Sequence, residues 1–216
     1  MLETVQRLIT GYRGFRARYY EQRPDRMRSL VEQGQSPDVL LIACADSRVD
    51  PAILFDSEPG DLFVVRNVAN LVPPYAPDDE PHGTSAAMEF AVRDLGVRHI
   101  IIFGHSACGG IQALRATAAG EQLPRDFIAP WMQIAAAACP CDAEGNVPDQ
   151  ETVEHGAIRV SLDNLMTFPW ILEKVEAGQL DLHGWWVDLR AGRLCNITSD
   201  GMSELVAGET PLDVTD

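Results

Sequence analysis

The sequence predicts an α/β fold: a single domain in which helices cross over a parallel β-sheet, preceded by an N-terminal helical arm. Three observations predict it. Val39 to Ala43 and Ile100 to Phe103 are short apolar runs without a polar break, as strands buried on both faces require. Segments of helical periodicity separate the predicted strands, the alternation that crossover helices produce. Near the end, Leu182 to Leu189 and Arg193 to Ile197 flank Ala191-Gly192 and read as strand, tight turn and strand.

In chain order, Val5, Leu8, Ile9, Tyr12, Phe15 and Tyr19 recur at spacings of three and four, and Met27, Leu30 and Val31 form a second apolar group beyond Pro24. This predicts two helices broken at the proline, an arm over residues 1–34. Its stripe packs on the body in the simpler reading and on a neighbouring subunit in the other. Residues 35–216 form the domain. The strand from Val39 ends at Cys44, a short helix covers 52–55, and Glu58-Pro59-Gly60-Asp61 has the chemistry of a turn. Leu62 to Val65 is the next strand, and the prolines at 73 and 74 end regular structure. Thr84 to Leu95 reads as a helix capped by Thr84 or Ser85. Gly104 ends the strand at 99–103, and Ile111, Leu114, Arg115 and Ala118 predict a helix after it. Asp126 to Ala138 is predicted helical, Cys139 to Gln150 a surface loop, and Glu151 to Thr167 a helix that Pro169 interrupts and Trp170 to Val175 finishes.

At 216 residues and 46% hydrophobic content the chain suffices for one well-cored domain. Its 32 acidic and 17 basic side chains give a net charge of −15, which repels nucleic acid and anionic lipid. No apolar run is long enough to span a bilayer or resembles a signal peptide, and five cysteines, an odd number, fit reduced thiols better than a disulfide framework. The expected setting is cytoplasmic.

The chemistry converges on strand ends. His105 and Cys108 lie where a strand's carboxyl end hands over to a helix, the position at which open α/β sheets bind ligands, and the helix dipole there favours a thiolate. His-x-x-Cys is weak alone, but the strand at 39–43 delivers a third ligand type in Cys44. Two cysteines and one histidine leave a fourth position free on a zinc ion, the pattern of a catalytic site. Asp46, two residues beyond Cys44, can accept a hydrogen bond from a group at that fourth position or occupy it. Arg48 can pair with Asp46 bidentately and keep it aimed. Taken alone the two would be an ordinary loop ion pair. Cys139 and Cys141 with His155 are a weaker second metal candidate in a loop rich in breakers. Cys195 reads as a small buried side chain, His82 and His99 as surface or strand-edge residues, and His183 as a strand start.

With these residues in place the chain resembles a β-class carbonic anhydrase of the plant-type branch. The family's signatures are present as Cys44-Ala-Asp46-Ser-Arg48 and His105-Ser-Ala-Cys108. The stretch Glu58-Pro-Gly-Asp-Leu-Phe-Val-Val-Arg-Asn-Val-Ala-Asn-Leu-Val-Pro-Pro between them, Ser161-Leu-x-Asn-Leu-x-Thr-Phe-Pro and Gly184-Trp-Trp-Val-Asp extend the likeness from about Gln35 to Leu194. The resemblance implies reversible hydration of CO2 to bicarbonate and a proton, on a mixed β-sheet with a parallel core, in homodimers or higher homo-oligomers. It implies Zn2+, one per subunit, held by Cys44, His105 and Cys108, with Asp46 and Arg48 as the catalytic dyad. It further implies substrate placement by Gln35 and the Gly109 amide, in an apolar pocket lined by Phe63, Val68 and Phe90. Phe90 departs from the tyrosine familiar in plant relatives. A second, inhibitory bicarbonate site in some bacterial relatives uses a tryptophan where this chain has Leu41, together with an arginine matched by Arg66, so no such site is expected and Asp46 should stay paired with Arg48.

An apolar pocket suits CO2, and export of the proton to solvent should limit turnover. Relatives of this fold that act on CS2 or COS share the ligand set. A zinc-storing or redox-sensing protein is the alternative without catalysis, but it would need neither Asp46 nor Arg48.

Overall fold

A computed structural model describes residues 2–205. The elements run α1 (Leu2–Arg16), a π-helical turn (Ala17–Gln22), α2 (Pro24–Gln33), β1 (Val39–Cys44), α3 (Pro51–Leu54), β2 (Leu62–Asn67), α4 (Gly83–Glu89), β3 (His99–His105), α5 (Gly109–Ala118), α6 (Ile128–Met132), α7 (Gln150–Leu165), α8 (Pro169–Glu176), β4 (Asp181–Asp188), β5 (Arg193–Thr198) and β6 (Gly201–Glu204). The sheet order is β2-β1-β3-β4-β5-β6. The first four strands are parallel and the last two antiparallel, a mixed sheet with a parallel core.

The apolar runs are continuous because both faces are covered. Leu40, Ile42, Ile100 and Ile102 point into one core with Met88, Val92, Ile158 and Trp186. Leu41, Ala43, Ile101 and Phe103 point into the other with Ile111, Leu114, Met132 and Ala157. Successive residues of a strand serve opposite cores, so no position between Leu40 and Ala43 can be polar.

Three expectations are corrected and one strand is added. Gly104 does not end β3, which continues to His105. A Cβ on Gly104 would stand 2.8 Å from Ile158 Cδ1, so the glycine admits α7 rather than breaking the strand. Neither Thr84 nor Ser85 caps α4: the helix begins at Gly83 after His82, and no side-chain cap is made there; Phe90–Leu95 continues it as a π-turn. Residues 126–138 are not one helix but the short α6 followed by a 3-10 segment, Gln133–Ala138. The strand β6 was not anticipated, since Gly-Met-Ser-Glu carries no apolar alternation.

The arm also departs from the simpler reading. Arg23 pairs with Glu58, Arg26 pairs with Asp61 and donates to the Pro59 carbonyl at 2.9 Å, and Leu30 meets Gly60, so α2 is fixed to the turn before β2. The apolar stripe of α1 has no such partner among the described residues: Val5, Leu8 and Tyr12 are 53%, 68% and 61% exposed.

Candidate metal centre

Parallel strands in register bring β1 and β3 to the same edge, so Cys44 and His105 leave the sheet side by side. The backbone then turns tightly through Ser106, whose N–H donates to Val187 at 2.9 Å and whose hydroxyl accepts from Leu189 at 2.8 Å. Ala107 follows in the left-handed region, φ 57°, unusual for a residue with a Cβ. This reversal carries Cys108 back over the strand end, directly ahead of α5.

The result is a compact donor set. Cys44 Sγ and Cys108 Sγ are 3.9 Å apart, and with a ring nitrogen of His105 all ligand atoms lie within 4.8 Å of one another. His105 Nδ1 is 2.9 Å from the Ser106 carbonyl, which fixes Nδ1 as the protonated nitrogen and leaves Nε2 with its lone pair. That Nε2 is buried and has no hydrogen-bond partner among the described residues. A buried imidazole nitrogen without a partner, facing two buried thiols, fits a metal ion. Among the described residues this is the one group of three or more His, Cys, Asp or Glu side chains arranged to hold an ion; Cys139, Cys141 and His155 do not form another.

The thiols are electrostatically unequal in the absence of an ion. A hydrogen bond from the Cys108 thiol pushes Cys44 down against its burial, with help from His105. That bond, burial and the Cys44 charge push Cys108 up. A cation bound there would displace the one proton that Cys108 retains against the Cys44 thiolate.

Asp46 stands beside the donors, Oδ2 lying 4.0 Å from His105 Nε2. Arg48 grips both its oxygens, Nε to Oδ1 at 2.9 Å and Nη2 to Oδ2 at 2.7 Å, and its backbone N–H reaches Oδ1 at 3.0 Å. This guanidinium holds the Asp46 carboxyl well below the usual carboxylate range. Arg48 Nη2 also donates to the Ala107 carbonyl at 3.0 Å, tying the dyad to the strained turn. Arg66, from β2, donates to the Cys44 and Asp46 carbonyls and pairs with Asp50, while Leu41 is buried in the core.

Of the expected pocket residues, two lie at this edge. Gly109 heads α5, where its N–H has no acceptor within its own helix. Val68 is placed by Asn67, whose side chain makes two bonds to the Leu71 backbone, and by Trp131, whose indole N–H donates to the Val68 carbonyl at 2.8 Å. A Cβ on Gly110 would meet Val68 Cγ1 at 2.8 Å, so the two are in close contact. The other three lie elsewhere. Phe63 pairs with Leu40, four residues short of Cys44 and therefore about 13 Å down the strand. It packs in the opposite core with its ring centroid 5.9 Å from that of Phe90, the planes tilted by 39°, and Gln35 is exposed ahead of β1. One chain does not bring Gln35, Phe63 and Phe90 to Cys44.

Sequence reasoning missed Glu154. This carboxylate is buried and accepts from the Cys108 N–H at 3.0 Å, Gln150 Nε2 at 2.8 Å and Trp186 Nε1 at 3.2 Å. The available signal was an acid in phase with Val153, Ala157 and Ile158 on the buried side of a helix.

The carbonic anhydrase family profile matches residues 39–194. A carbonic anhydrase of Pseudomonas aeruginosa is 40% identical over 192 residues, covering 87% of this chain and 84% of its own. The structure of the β-carbonic anhydrase CcaA superposes with a TM-score of 0.76 at 34% identity, covering 91% of this chain and 96% of the other. A tetrameric β-carbonic anhydrase of Sordaria macrospora gives 0.73 at 28% identity, covering 96% of this chain and all of that one. A profile that spans both cysteines, His105 and the Asp46–Arg48 dyad, together with full-length relatives of one class, places the chain in the β-class carbonic anhydrase family.

Proposed function

We propose that the chain hydrates CO2 reversibly to bicarbonate and a proton with a zinc ion held by Cys44, His105 and Cys108. The observation that carries this reading is the unpartnered His105 Nε2 facing two thiols beside an aspartate whose outer contacts are all taken by Arg48. A zinc ion there supplies the Lewis acidity that makes hydroxide available near neutral pH. Asp46, kept ionised and immobile by Arg48, would accept a hydrogen bond from the attacking oxygen and so direct its lone pair. Val68 offers CO2 an apolar wall, and the Gly109 N–H at the head of α5 favours the negative oxygen of the product.

The pocket is completed by a second copy. Phe63, Phe90 and Gln35 lie at the far end of β1 and β2, and β2 is an edge strand of the sheet, its outer side unpaired among the described residues and open to a partner. The bare stripe on α1 is a further surface that a homo-oligomer would cover.

A stopped-flow pH-indicator assay on zinc-replete protein tests the activity, with Asp46→Asn as the comparison. CO2 hydration that disappears on chelation and falls sharply in the variant is expected. Stoichiometric zinc without hydration above the uncatalysed rate would overturn the reading.

A further inference from the structure

Glu154 has no role in the reading above, yet it is 3% exposed and lies against the backbone of one proposed ligand. It stands four residues after Gln150 on α7, so the two side chains share a helix face. Asp149 caps that helix, accepting from the Thr152 N–H at 2.8 Å, which makes the first turn a firm base. From this base the pair takes hold of Cys108 at both ends of its backbone: Glu154 Oε1 accepts from Cys108 N–H, and Gln150 Nε2 donates to the Cys108 carbonyl at 3.0 Å. The second Glu154 oxygen is anchored by Trp186 Nε1 on β4. Every polar contact of this carboxylate is a donor directed at it.

The turn so gripped is under strain, with Ala107 left-handed and its carbonyl held from the other side by Arg48. No side chain within residues 105–108 bonds to the Cys108 backbone, whose N–H has Glu154 as its acceptor and whose carbonyl accepts from Gln150 Nε2 and from the Gln112 N–H. We propose that Glu154 is a positioning residue for Cys108, fixing the amide that sets where the thiol points and so preforming the two-sulfur half of the metal cradle. This rests on the reading of Cys44, His105 and Cys108 as the metal centre.

Two conservative variants separate reach from charge. Glu154→Asp keeps the charge but withdraws the oxygens by about one C–C bond, about 1.5 Å, beyond hydrogen-bond distance of Cys108. Glu154→Gln keeps the reach and an acceptor for Cys108 while its own amide N–H confronts the Trp186 N–H. Full-length protein freed of zinc is titrated with Co2+, reading the sulfur-to-cobalt charge-transfer absorption per bound cobalt and the affinity, with Tm measured alongside. Positioning predicts that Glu154→Asp binds cobalt more weakly by about tenfold or more, the range for outer-shell partners of metal ligands, with reduced charge-transfer intensity. Glu154→Gln should bind like the parent although its Tm falls. Unchanged cobalt affinity and absorption in Glu154→Asp would overturn the proposal and leave Glu154 a packing residue. Loss in Glu154→Gln while Glu154→Asp binds like the parent would overturn it in favour of the charge, and equal loss in both would overturn it as well, because reach alone would then not restore the cradle. If the parent protein itself shows no sulfur-to-cobalt band, the metal centre, and not only its support, is wrong.

Discussion

Cys44 Sγ and Cys108 Sγ stand 3.9 Å apart although 64 residues separate them. Two buried thiols at this distance beside an unpartnered imidazole nitrogen form a group that could hold one divalent ion between them. Elemental analysis should find one zinc per chain. Cys108→Ser should lose most of the bound metal, because a hydroxyl does not ionise to replace the thiolate, and should lose hydration activity with it. Equal zinc content in Cys108→Ser and the parent would exclude Cys108 as a ligand.

Arg48 joins three features that no simpler side chain could join: both Asp46 oxygens and the Ala107 carbonyl. Arg48→Ala frees Asp46 to turn towards the ligands and releases the strained turn. A fall in kcat/KM of about 10- to 100-fold is expected, the range for partners that orient groups around a metal. Arg48→Lys should recover little, since a single ammonium cannot span two carboxylate oxygens and a carbonyl. Full activity in the lysine variant would show that charge alone suffices.

The strands and the clustering of Cys44, His105 and Cys108 were legible because an apolar run buried on both faces needs no tertiary information to be recognised, and which residues meet at its end follows from register. What failed depended on neighbours. Gly104 looks like a terminator until Ile158 is seen against it, and Glu154 looks like a solvent-facing acid until Trp186 and Cys108 are placed around it. Gln35, Phe63 and Phe90 are named by motif alone, but only the direction of β1 and β2 shows that they sit at the other edge from Cys44.

Gly184 provides a test of packing away from the metal centre. A Cβ there would lie 2.8 Å from the Ile197 carbonyl oxygen and 2.8 Å from Ile158 Cγ2. The carbonyl belongs to the neighbouring strand and cannot swing aside as a side-chain tip would. Gly184→Ala should cost about 1–3 kcal/mol, lowering Tm by about 2–4 °C for each kcal/mol, while zinc content stays at the parent value. An unchanged Tm would mean that α7 and β5 yield more easily than their packing implies.

His155 should make stability depend on pH. Its Nε2 is buried without a partner among the described residues, and its ring meets Trp186 edge-on. Burial pushes its pKa down, with Arg159 adding to the effect and Glu151 and Asp149 only partly offsetting it. The unfolded chain therefore takes up a proton near the ordinary histidine value of about 6.5, where the folded chain still resists it. Stability is full above that value and declines as pH falls through the window below it. Denaturation midpoints of zinc-loaded protein at about pH 7 and about pH 5 should differ less in His155→Phe, which keeps an aromatic ring against Trp186. An equal difference in both proteins would assign the acid sensitivity to other groups.

The arm offers the sharpest test of assembly. Leu8 and Tyr12 are four residues apart on one face of α1, and both are more than half exposed, while α2 behind them is pinned to the turn at 58–61. A helix held at its base with its apolar face bare gains by covering that face with a second copy, at about 25 cal/mol for each Å2 of apolar surface removed from water. Replacing both side chains with aspartate should shift the mass seen by light scattering towards the monomer without unfolding the chain, because neither side chain supports its own core. Hydration activity should fall with the mass: a lone chain keeps Cys44, His105, Cys108, Asp46 and Val68 at one sheet edge but leaves Gln35, Phe63 and Phe90 at the other. Zinc content should hold, since no ligand comes from the partner. A monomer with undiminished activity would show that one chain builds the whole pocket, and an unchanged mass would show that α1 is not what joins the copies.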